Sequence, residues 1–210
     1  VGIEMSKLII MVASFAPQAG KSSFTSAVAA KYLPLNKGYV SVYSFANPVK
    51  WMLISLLQQS FGYSEEDAVL AVFGKAKEES LKLHGEIKPI THRKMLQTLG
   101  TEWRLALGYE TMWSDILASG VKNTPEGNLN LIDDWRYIAE YDVIKQLEAQ
   151  GFKVITVCIR NTTAEANYTG SHSSEGELKD FAFDHVVTND GSMSDFIAKV
   201  HQFAASLGAE

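Results

Sequence analysis

Two short runs of this chain combine residue types that can handle phosphate. The first is Gly20-Lys21-Ser22, flanked by Gln18, Ala19 and Ser23. A lysine there can reach the outer phosphates of a polyphosphate, and the neighbouring serine hydroxyl can ligate Mg²⁺. The second is Asp133-Asp134-Trp135-Arg136. Its carboxylates suit a hard cation or a base, and Arg136 can clamp a phosphate through paired N–H donors.

Both runs stand where an α/β fold would place them. Leu8 to Ala13 is apolar and turns at once into a small-residue loop, after which TSAVAAKYL reads as a helix. Strand, Gly-Lys-Ser, helix is the setting of a phosphate-binding loop, because a helix N-terminus presents unpaired N–H groups and partial positive charge. The full pattern has glycine five residues before Gly20, where this chain has Phe15. An ordinary strand-to-helix turn is the bland reading, and the buried strand ahead of it favours the phosphate loop. NLNLIDDWR over 128–136 likewise reads as a buried strand that ends in acids.

The remaining pattern alternates strands and helices. A strand is expected over 39–47, a helix from Pro48 through 49–62, and a second helix after Ser64. Residues 75–91 read as a charged, irregular surface segment. A helical pattern runs from His92 to Leu107, with another over Thr111 to Ser119. Tyr137 to Gln150 is a helix closed by Gly151, and 152–160 is a strand ending at Arg160. Residues 161–176 are polar and loop-like. HVVTNDG is a last strand and turn, and Ser192 caps a final helix. The fold class is therefore α/β, a three-layer arrangement whose mostly parallel five-stranded sheet carries helices on both faces. Ligands of such sheets bind beyond the carboxyl ends of the strands, where these polar runs lie.

Composition sets outer bounds. The 210 residues, 46% apolar and 20% charged, suit one soluble domain, expected over 5–210 with Met5 as its start. A net charge of −5 argues against nucleic acid or a membrane surface as partner. The apolar run at the start is too short to span a bilayer, and removing it as a signal would delete the first strand. A single cysteine, Cys158, fits a reducing cytoplasm.

Several segments in order resemble the bacteriophage deoxynucleoside monophosphate kinases, a branch of the P-loop kinases. They are APQAGKSS, FANPVK, MLQTLGTEW followed by Trp113, LIDDWRYIAE, HSSE and VVTNDGSMSDF. The resemblance implies transfer of the γ-phosphoryl of ATP to a deoxynucleoside monophosphate, with Mg²⁺, and a homodimer. By position it gives ATP and its metal to Lys21 and Ser22; with them Gln18, Ala19, Gly20 and Ser23 of the same loop are ATP candidates, and Asp133 is the further metal candidate. Lys21, Asp134, Arg136 and Arg160 are the catalytic candidates. Lys50, Gln97, Trp103, Arg104, Asp134, Arg136 and Glu140 are the acceptor candidates. Residues 61–110 would cover the acceptor, and 161–176 would form a lid containing His172 and Glu175. The pattern departs from the family at Phe15 and at Arg104, which follows GTEW directly instead of after a glycine. Read from residues alone, Lys50 is narrowly better explained as an exposed lysine, and the charges at Arg93, Lys94 and Arg104 as a solvated face. A kinase of another small molecule, such as dephospho-coenzyme A, and a non-catalytic nucleotide-binding module are the competing readings.

Overall fold

Apolar residues on both sides of a strand demand cover on both faces, and Lys7–Ser14 (β1) receives it: Ile9 to Ala13 are fully buried. The computed structural model describes residues 7–36, 39–83, 85–168 and 177–207. The expected start at Met5, and His172 and Glu175 of the expected lid, lie outside them. Two compact units make up the chain, one of residues 1–45 and 114–210, the other of residues 46–113.

In the first unit the elements are β1, α1 (Lys21–Asn36), β2 (Val40–Tyr43) and, after the second unit, β5 (Leu129–Ile132), α7 (Ile138–Lys145), β6 (Phe152–Arg160), α8 (Thr162–Asn167), β7 (His185–Thr188) and α9 (Met193–Ser206). The strands form one five-stranded sheet in the order β2-β5-β1-β6-β7, and every pairing is parallel. Alternation along β1 divides its side chains between two cores. Leu8, Ile10 and Val12 join Phe24 and Val28 of α1 and Phe196, Val200 and Phe203 of α9. Ile9, Met11 and Ala13 join Leu117 and Val121, Ile144 of α7 and the indole of Trp135. This mixed α/β architecture is consistent with a P-loop kinase fold.

The second unit holds α2 (Asn47–Phe61), α3 (Glu65–Phe73), a 3-10 turn (Lys75–Glu78), the antiparallel pair β3 (Ser80–Leu83) and β4 (Glu86–Thr91), and α4 (His92–Gln97). A π-helical stretch over Thr98–Trp103 leads into α5 (Arg104–Ala106), and α6 (Met112–Lys122) begins at the unit's end. Its core is Leu53, Ile54, Leu57, Ala68, Ala71, Val72 and Leu81. Ser64 caps α3 by accepting a hydrogen bond from the Asp67 N–H at 3.1 Å, as its sequence suggests.

Three sequence expectations need correction. Residues 75–91 are a turn and hairpin with Leu81 buried, not an irregular surface segment. The continuous helix expected from His92 changes to π geometry at Thr98. The loop expected from Asn161 opens with a six-residue helix, α8, capped by Asn161 accepting from the Ala164 N–H.

Candidate active site

Because all five strands run in parallel, their carboxyl ends gather along one edge of the sheet. Ser14, Tyr43, Ile132, Arg160 and Thr188 are the last strand residues there. The candidate phosphate loop joins Ser14 to α1. Gln18 adopts φ 60° and Gly20 φ 112°. The second value is one that side chains avoid, and a Cβ on Gly20 would stand 2.6 Å from Asn189 Nδ2. Asn189, just past β7, donates from Nδ2 to the Ala19 carbonyl at 2.9 Å and from its N–H to the Arg160 carbonyl at 2.7 Å. One residue, through its side chain and its backbone N–H, thereby straps the loop to the ends of two strands.

Helix α1 opens with Lys21, and the Phe24 N–H bonds the Gly20 carbonyl at 2.9 Å to start its ladder. The N–H groups ahead of that bond have no helical acceptor and point out of the helix end. Lys21 Nζ donates to Ser14 Oγ at 2.8 Å, and that hydroxyl donates to the Ala16 carbonyl at 3.0 Å. The ammonium is thus folded back over the loop. Ser22 is exposed on the first turn, and Ser23 is half-buried beside it.

Asp134 turns to the end of β2. It accepts hydrogen bonds from the Ser44 hydroxyl and from the Phe45 N–H, the latter at 2.8 Å. Glu140 accepts from the Arg136 and Tyr137 N–H groups at 2.9 and 3.1 Å, which ties down the first turn of α7. Arg136 itself is exposed. Trp135 is 1% exposed, donates from its indole N–H to the Tyr137 carbonyl and packs among Tyr141, Phe181 and Phe183. It is a core residue.

Arg160 is held from two sides. Its guanidinium carbon lies 5.0 Å from the centroid of the Phe15 ring, and Glu165 accepts from Nε at 2.7 and 3.0 Å and from Nη2 at 2.7 Å. Those hydrogen bonds raise the arginine's pKa further. Burial pushes the nearby Cys158 thiol up to about 11, which leaves it inert as a nucleophile. The Asp190 carboxyl is held below its usual range, chiefly by the Thr162 N–H and hydroxyl at 2.7 and 3.0 Å.

Next to the loop lies a cavity of about 510 Å³. Pro17 and Gln18 form one wall, and Asn161, Ala164, Asn167 and Tyr168 face Asn189 to Gly191 on the others. It is large enough for a nucleoside and lies against the candidate phosphate loop.

Within the second unit, Lys50 lies 5.3 Å from the Phe73 ring centroid. Lys77 has its pKa lowered first by burial and then by the positive charges of Lys50 and Arg93. Three cations therefore share one region, with Glu78 bound to Arg93 as a partial counter-charge. Trp103 stacks on Trp113 at 5.9 Å, Trp113 donates to the Gly100 carbonyl at 2.7 Å, and Arg104 donates to the Glu110 carbonyl. Gln97 ends α4.

Sequence reasoning missed Asn189, Glu165, Ser44 and Lys77. Only Asn189 left a local signal, as a polar residue ending an apolar strand in the quoted segment VVTNDG.

The Ser22 hydroxyl and the Asp133 carboxylate fit Mg²⁺, which takes oxygen donors and is usually held by one or two protein groups together with phosphates. Among the described residues no three His, Cys, Asp or Glu side chains form a metal cluster. No helix among the described residues is long and apolar enough to cross a membrane.

A family model described as deoxynucleotide monophosphate kinase matches residues 54–200, well over half the chain. That span begins after the candidate phosphate loop and includes the acidic run and Asn189. No curated protein matches the chain.

Proposed function

The chain belongs to the deoxynucleotide monophosphate kinase family, whose members are phosphotransferases, and from that premise we propose that it transfers the γ-phosphoryl of ATP to a deoxynucleoside 5′-monophosphate. An oxygen of the acceptor phosphate attacks the γ-phosphorus, the bond to the β-phosphate oxygen breaks, and the products are the diphosphate and ADP. The loop carries this reading: Gly20 at φ 112°, strapped through Ala19 to Asn189, opens α1 with its N–H groups and Lys21 at one place.

In this reading residues 18–23 hold the polyphosphate, and the cavity walled by Pro17, Gln18 and 161–168 takes the nucleoside of ATP. Ser22 and Asp133 would hold Mg²⁺, which would supply neutralisation of phosphate charge. Lys21 and Arg160 offset the charge that builds on the transferring oxygens. The acceptor phosphate falls to Lys50, with Lys77 and Arg93 beside it. Within the second unit Gln97, Trp103 and Arg104 serve the acceptor's sugar and base; Arg136 is a phosphate-binding candidate of the first unit.

No general base is required, because a phosphate monoester is largely dianionic at pH 7 and already carries its nucleophilic oxygen. Asp134 therefore acts by position: it fixes Ser44 and Phe45, the residues leading into α2 and Lys50. Glu140 likewise serves the acceptor by fixing the backbone at Arg136. We place the activity in a reducing cytoplasm, the host's if the chain is phage-borne, with a homodimer as the working assembly.

The test is ADP release measured against a panel of deoxynucleoside monophosphates and their ribose counterparts. Turnover with one or more deoxynucleotides supports the proposal. Turnover only with a non-nucleotide acceptor, or ATP binding without turnover, would replace it by one of the competing readings.

A further inference from the structure

Phe15 stands where the phosphate-loop pattern has glycine, and its ring is turned out of the loop. It meets Phe183 edge-on at 6.2 Å between centroids, and Phe183 is fixed in turn by Trp135 at 5.5 Å and Phe181 at 5.1 Å. This aromatic stack leaves Phe15 as a platform for Arg160, whose guanidinium carbon lies 5.0 Å from its centroid. From another side Glu165 takes Nε and Nη2 in a paired grip, and its Oε1 also accepts the Asn161 N–H at 3.2 Å. The Arg160 side chain is 41% exposed, so contacts rather than burial set its place. Its strand runs beside β1, with Ile159 in register with Ser14, which puts the arginine next to the loop's first residue.

We propose that Phe15 and Glu165 are positioning residues for Arg160, and that the aromatic ring at 15 holds the guanidinium beside the phosphate loop. A planar, weakly hydrated guanidinium suits an aromatic face, and a ring fixed by its own neighbours limits the arginine's rotamers. The inference rests on the reading of this loop as the ATP site.

The test is a set of variants assayed for ADP release with the best acceptor. Phe15→Leu is expected to lower kcat about 2–5-fold, the size of one exposed cation–π contact, with KM for ATP changed less than about twofold. Phe15→Tyr is expected to retain the unsubstituted rate, and Phe15→Gly, which restores the usual loop residue, to behave like Phe15→Leu. In an Arg160→Ala background Phe15→Leu is expected to do nothing further. Independently of activity, the Arg160 side-chain protons should show ring-current shifts in NMR spectra that Phe15→Leu abolishes.

A Phe15→Leu enzyme with normal kcat, a loss undiminished when Arg160 is absent, or unshifted Arg160 resonances would overturn the inference while leaving the proposed function standing. Failure of the unsubstituted chain to phosphorylate any monophosphate would overturn both.

Discussion

Replacing Gly20 with alanine tests the loop geometry at its tightest point. The added Cβ would stand 2.6 Å from Asn189 Nδ2, well inside ordinary contact, and 3.3 Å from the Phe196 ring. Phe196 is 1% exposed in the core, so the Asn189 amide is what must yield. Moving it breaks the 2.9 Å bond to the Ala19 carbonyl, a loss of about 0.5–1.5 kcal/mol. An alanine held at φ 112° adds about 1–3 kcal/mol of backbone strain. The sum, about 1.5–4.5 kcal/mol, appears in one of two places. If the loop keeps its shape, the midpoint of urea unfolding falls. If the loop abandons its shape, ATP binding weakens by roughly 13- to 2,000-fold at 1.36 kcal/mol per tenfold. Calorimetric titration with ATP and urea unfolding on the same protein read both. Asn189→Ala separates the terms, since Gly20→Ala in that background should cost only the backbone strain. Unchanged ATP affinity together with unchanged stability in Gly20→Ala would refute the claim that this turn is held for phosphate.

Two other outcomes follow from the structure. Lys77→Met should raise the acceptor's KM at least about tenfold, the size of one charge-assisted hydrogen bond, with KM for ATP unchanged; steady-state kinetics varying each substrate checks it. Asp184 titrates below its usual range because, although burial acts to raise its pKa, the Thr156 hydroxyl at 2.6 Å and N–H at 2.8 Å outweigh burial. A carboxyl whose pKa is lower folded than unfolded stabilises the fold above its unfolded value, near 4, and loses that contribution as pH falls through the folded value. Urea unfolding between pH 6 and 2.5 should therefore show acid destabilisation that Asp184→Asn diminishes.

Local pattern and long-range contact explain what was and was not legible in the sequence. Strand β1 was readable because a central strand covered on both faces must be apolar throughout, and α9 because its apolar residues recur at helical spacing. The β3–β4 hairpin was not, since β4 carries no buried residue and so shows no alternation to read. Helix α8 has only six residues, too few for periodicity. At the site, Lys21 and the acidic run stood out by type and spacing. The residues that shape them came from far along the chain: Asn189 straps a carbonyl 170 positions away, and Asp134 binds a serine 90 positions back. Phe15 looked like a defect because its partner Arg160 is distant in sequence and adjacent only once β1 and β6 pair.

The central claim is that this loop presents ATP for transfer to a deoxynucleotide, and following the labelled γ-phosphoryl of ATP tests it most directly. With Mg²⁺ and a deoxynucleoside monophosphate, the unsubstituted chain should move label into the diphosphate. Lys21→Ala, which removes the ammonium now on Ser14 Oγ, should slow that transfer by about 10²–10³-fold. Label that stays on ATP, or moves equally fast in both proteins, would contradict the account.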